Sequence, residues 1–117
     1  MGETVGTSRS GGLRIVQAEH RYWIAHNFPA QTPWQVFMGM AEELGELSHA
    51  LLKRDQQIRG NDTDFDDGIK DACADLVIFM CGLADLEGFD LMDVINETWT
   101  KVKKRDWISF PVNGLTE

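Results

Sequence analysis

The chain is short of most residues that would announce a chemistry. It carries two cysteines, three prolines and three histidines among 117 residues. Cys73 and Cys81 stand eight positions apart on one expected helix, about 12 Å of rise, too far to bridge each other. His20 and His49 have no zinc-type spacing with each other or with the cysteines. No GxxxxGK[ST] stretch and no serine elbow occurs, which removes P-loop and α/β-hydrolase chemistry. Lys and Arg number 11 against 19 Asp and Glu, a net charge of −8. A nucleic-acid polymer therefore has no basic footprint to bind. A small phosphate-bearing molecule stays open, because a bound cation reverses the local field. The longest apolar run, Leu76 to Ala84, is about half a membrane span. No charged-then-apolar signal peptide opens the sequence. Buried, reduced thiols are the simplest reading of the cysteines, and a cytoplasmic protein without membrane contact is expected.

Also missing is any sustained period-two alternation between turn signals, so strands are not expected. Helical spacing is present instead. Residues 1–12 are small, polar and glycine-rich and read as a flexible leader. Leu13, Val16, His20, Trp23 and Ile24 share one side of a helix running to about His26. Thr32 as N-cap and Pro33 at the first position open a second helix, to about Arg54. A polar linker around Gly60 leads to a third, from near Asp66 to Glu87, stopped by Gly88. Asp90 caps a fourth, with Asp93 at N3 and the basic cluster Lys101, Lys103, Lys104, Arg105 at its end. Residues 108–117 read as an irregular tail. The expected architecture is all-α, a four-helix bundle over residues 13–107. The LVIFMCGLA centre of the third helix, apolar all round, is read as buried among its neighbours.

Two acidic turns interrupt this apolar pattern. Glu42, Glu43 and Glu46 fan over about 100° of the second helix, and Asp71 and Asp75 lie about 40° apart on the third. Carboxylates converging at the edge of a core repel one another unless a cation intervenes. Oxygen-only ligands select magnesium, manganese or calcium over zinc. The plainer alternative leaves Glu42 and Glu46 solvated and Asp71 paired with a lysine such as Lys70. Asp75 opens the apolar run and weighs most against that alternative. The stretch Asp62 to Gly68 is no EF-hand: counted from Asp62, glycine falls at position seven and Cys73 at position twelve.

EELGEL at 42–47, KDACADLVIF at 70–79 and TWTKVKKRDW at 98–107, in that order, resemble the MazG-like all-α nucleoside triphosphate pyrophosphohydrolases. The resemblance implies hydrolysis of an NTP or dNTP between the α- and β-phosphates, with Mg²⁺ or Mn²⁺, giving a monophosphate and pyrophosphate. It implies Glu43, Glu46 and Asp75 as metal ligands. Glu42 is either a further ligand or the group that orients the attacking water. One departure stands out: the family keeps Glu three residues before the second-helix Asp, and Ala72 occupies that position here. Asp71, one residue earlier on a neighbouring part of the face, is expected to compensate.

Further candidates contact the substrate. Lys101, Lys104 and Arg105 suit phosphates, although cations at a helix C-terminus also complement its dipole. Trp34 suits stacking on a base; His26 suits a hydrogen bond to base or sugar, although it also reads as simply closing its helix. Trp99, on the inner stripe of its helix, reads as core. A short helical unit with this much apolar surface is expected to form a homodimer or homotetramer. The competing functions are a non-catalytic nucleotide- or metal-binding module of the same fold, degraded at Ala72, and a structural oligomer whose acids pair across subunits.

Overall fold

The computed structural model describes residues 3–116, with side chains from residue 12 onward. Its elements are α1 (Glu3–Asn27), α2 (Pro33–Gln56), α3 (Asp62–Glu87) and α4 (Leu91–Val102). No strand occurs among the described residues, and no helix among them is long and apolar enough to cross a membrane. Gly12 interrupts α1 with φ 61° and ψ −150°, a conformation essentially reserved for glycine. The uninterrupted helix thus begins at Leu13. The leader read over residues 1–12 lies, in its side chains, outside the described residues.

Local chemistry fixes the other boundaries. Thr32 and Gln35 form a reciprocal capping box at α2, with Gln35 N donating to Thr32 Oγ1 at 3.3 Å and Thr32 N to Gln35 Oε1 at 2.9 Å. The third helix starts four residues before the expected Asp66. Asn61 and Asp64 make a second capping box, both bonds 2.9 Å, so a stretch read as linker becomes helix. Gly88 ends α3 at φ 82°, and Asp90 Oδ1 accepts from Asp93 N at 2.9 Å to open α4.

The short α2–α3 connection makes these two helices antiparallel partners, and their contact is the most extensive in the molecule. Within it Gly39 faces the Phe79 ring, where a Cβ would overlap it. α1 lies against α3, and α4 touches α1 and α3. Among the described residues α1 and α2 make no close backbone approach, which leaves a gap between them. The fully packed core is small: Val36, Ala50, Phe65, Ala72, Cys81 and Ala84. Several positions read as interior are exposed, among them Val77, Ile78, Met80 and Trp99, and so are Leu44, Leu51 and Leu52 on α2. Cys73 is exposed too, and only Cys81 is buried. Periodicity marks a face to be covered, and within one chain three partner helices are too few to cover it.

One polar residue belongs to the core. Gln17, 3% exposed, donates to Asp85 Oδ1 at 2.8 Å and to the Phe89 carbonyl at 3.0 Å, and accepts from Leu91 N at 2.9 Å. It ties α1 to the α3–α4 turn and satisfies an otherwise orphaned amide at the start of α4.

Candidate functional site

The acidic turns meet in a cleft of about 380 Å³ along the α2–α3 groove. Glu43 and Glu46 enter from α2, Asp71 and Asp75 from α3. These four expected ligands therefore share one cavity. Asp75 reaches it differently from the expectation: it is exposed, not shut among the apolar residues that follow it. Glu43, half-buried, feels its neighbours. Burial pushes its carboxyl above the ordinary range, and the negative charges of Asp75, Glu42 and Glu46 push it further. Such a group is relieved by a proton or by a cation.

Ala72 also lines this cleft, 2% exposed. Its methyl is packed into the helix pair, and exposed Asp71 stands at the neighbouring position. Among the described residues no three His, Cys, Asp or Glu side chains are gathered as a ligand set. The donor chemistry nevertheless fits a hard divalent cation: four carboxylates on one cavity and a raised Glu43 among them.

A second cavity of about 250 Å³ fills the gap between α1 and α2. His20, Trp23 and Ile24 come from α1, Phe28 and Gln31 from the connection, and Val36, Ile78 and Phe79 close the rest. Glu43 and Asp75 line both cavities, so the acids sit where an apolar pocket opens into a charged cleft. The His20 ring presses on α3, with Cε1 3.0 Å from where a Cβ on Gly82 would stand. Its Nδ1 is buried without a hydrogen-bond partner, and burial holds its pKa below the usual value against the pull of Asp85. This pair of cavities suits a ligand with a flat, apolar part and an anionic part that carries a divalent cation into the carboxylates.

The other expected residues lie elsewhere. Glu42 is exposed and lines neither cavity. Trp34 is exposed and lies 6.4 Å from the Phe37 ring. His26 is exposed in the last turn of α1. Lys101 stands at the end of α4, with Lys104 and Arg105 just beyond, and Arg105 lies over the Trp107 ring at 5.9 Å. Neither cavity includes any of them. Residues not anticipated line the cavities instead: His20, Trp23, Phe28 and Gln31 in the apolar pocket, and His49, Lys53 and Arg59 in the cleft. His49 and Lys53 fall three and seven residues after Glu46, on its face of the helix, so spacing alone signals them. Gln31 and Arg59 lie outside the helices and give no periodic signal.

A family model, the MazG nucleotide pyrophosphohydrolase domain, matches residues 31–109. The match takes in α2, α3, α4 and both acidic turns and leaves α1 outside. Comparison with curated proteins gives no match, and neither does comparison with solved structures. Because the match spans most of the chain and contains every carboxylate of the cleft, this protein belongs to the MazG nucleotide pyrophosphohydrolase family.

Proposed function

We propose that the protein hydrolyses a nucleoside or deoxynucleoside triphosphate between its α- and β-phosphates, releasing the monophosphate and pyrophosphate. The observation that carries this reading is the sharing of Glu43 and Asp75 by an apolar, aromatic-walled pocket and a carboxylate cleft. A base in the pocket leaves its phosphates directed into the cleft. Glu43, Glu46, Asp71 and Asp75 are the residues that would hold Mg²⁺, or Mn²⁺. When bound, such a cation neutralises phosphate oxygens and lowers the pKa of a coordinated water. Trp23 and Phe28 supply apolar walls for a base, and His20 and Gln31 polar edges. Glu42 is the outermost acid, assigned to orient water or to add an oxygen ligand. Free Cys73 and Cys81 accord with a cytoplasmic setting.

Self-association belongs to the same proposal. Leu44, Leu47, Leu51 and Leu52 form an apolar hollow on α2, and Leu44, Leu51 and Leu52 are exposed. A second copy covers this face in a dimer or tetramer. Trp34, His26, Lys101, Lys104 and Arg105, outside both cavities of one chain, then act on substrate from a partner's side.

The test is pyrophosphate release from a panel of common NTPs and dNTPs with Mg²⁺. Glu46→Gln and Asp75→Asn should each lower turnover by about a hundredfold or more. Ala72 supports a second reading, a binding module without turnover. Calorimetric binding of a nucleotide with Mg²⁺, with no pyrophosphate released, would favour it.

A further inference from the structure

The cleft is charged unevenly along its length. Glu43 and Asp75 stand at the apolar pocket, and the antiparallel course of α2 and α3 carries the walls on through Glu46 and Asp71 to Lys53, Arg59 and Asp64. One end is purely acidic; the other holds the cleft's lysine and arginine. From Glu46 to Lys53 is seven residues, about 10 Å of helix on one face. We propose that Lys53 and Arg59 hold the terminal phosphates of the nucleotide, so that the cleft selects a triphosphate over shorter chains. This rests on the nucleotide reading above and adds the residues that measure phosphate-chain length.

Several observations support it. Among the described residues neither cation is engaged in an ion pair, whereas the neighbouring Arg54 faces Asp66 at 3.8 Å. Lys53 Nζ donates to Gln56 Oε1 at 2.9 Å, a neutral, exposed partner that a phosphate oxygen outcompetes. Asp64, the acid at this end, accepts from Asn61 N at 2.9 Å through one carboxylate oxygen in its cap. Arg59 is also held at φ 65°, a backbone region costly for any residue with a Cβ.

The full-length protein is titrated with inorganic tripolyphosphate, pyrophosphate and orthophosphate in Mg²⁺ by calorimetry. KM and kcat are measured on any nucleotide turned over. The parent should bind tripolyphosphate tightest. Lys53→Ala and Arg59→Ala should each weaken that binding about tenfold, the worth of one charge-assisted bond, and raise KM more than they lower kcat. Arg59→Gly relaxes the backbone and should lose as much binding as Arg59→Ala; if it binds like the parent, the arginine serves the turn and the inference fails. Lys70→Ala, which removes an exposed charge from α3 outside the cavity, should bind like the parent. Folded variants at 53 and 59 with undiminished tripolyphosphate affinity would overturn the proposal, as would a parent that binds none. A parent that binds tripolyphosphate through these two residues but releases no pyrophosphate refutes the enzymatic reading and leaves the phosphate grip standing.

Discussion

Gln17→Ala is the sharpest structural perturbation available. The side chain is 3% exposed and makes three hydrogen bonds of 2.8 to 3.0 Å, one of them to the Asp85 carboxylate. Truncation strands Leu91 N and the Phe89 carbonyl, and among the described residues it leaves Asp85 with Arg21, bonded at 2.9 Å, as its remaining side-chain donor. Asp85 Oδ2 is already buried without a partner, so there is no spare donor to compensate. A neutral bond is worth about 1 kcal/mol and one to a charged group about 1.5–3 kcal/mol, and stranded groups add their own desolvation. The expected loss is about 3–4 kcal/mol, read from urea unfolding. It should also act at a distance. Gln17 fixes the register of α1, which carries His20 and Trp23 to the apolar pocket. Nucleotide KM should rise in the fraction that remains folded, with the phosphate end untouched. A loss below about 1 kcal/mol would refute the clamp.

The other expectations are simpler. Gly39→Val forces a branched side chain into the Phe79 ring and should cost about 1–3 kcal/mol by overpacking, seen as a lower melting temperature. Glu43 has a folded-state pKa raised above its unfolded value, so the fold binds the extra proton. Metal-free stability should therefore fall as pH rises through the unfolded and then the folded value. Glu43→Gln should remove that slope, stabilise the metal-free protein at neutral pH and weaken Mg²⁺ binding, measured by melting curves across pH with and without the ion. Asp106 runs the opposite way. Amides of Ile108 and Ser109, both at 3.0 Å, hold its carboxyl low, so its contribution is present above the unfolded pKa and lost as pH falls through the folded one. Asp106→Ala should flatten that acid limb and loosen the tail by amide exchange.

The helix count and most boundaries were legible because they rest on local chemistry: Thr32 before Pro33, Gly88 after an apolar run, Asp90 three residues before Asp93. The start of α3 was missed because Asn61 and Asp64 resemble linker residues until their amides are seen to close a box. Convergence of Glu43, Glu46, Asp71 and Asp75 on one cavity was also readable, since two helices joined by a short turn bring their acidic faces together. Exposure was not. Apolar patterning placed Asp75 among buried residues and Trp99 in the core, but how much covers a face depends on partner helices, and those of one chain leave both exposed. The apolar pocket was invisible for another reason. It exists because the backbones of α1 and α2 stay apart among the described residues, and no spacing within one helix encodes a gap between two. Cation density drew attention to residues 101–105, whereas the cations that share a cavity with the acids are one on α2 and one in a turn.

The decisive measurement is of the products formed in oxygen-18-labelled water. With Mg²⁺ and an accepted triphosphate they should be pyrophosphate and a monophosphate, with the label in one of the two, and both should be lost in Glu46→Gln and Asp75→Asn. Orthophosphate with a diphosphate as products, or unchanged turnover in those two variants, would contradict the proposed function.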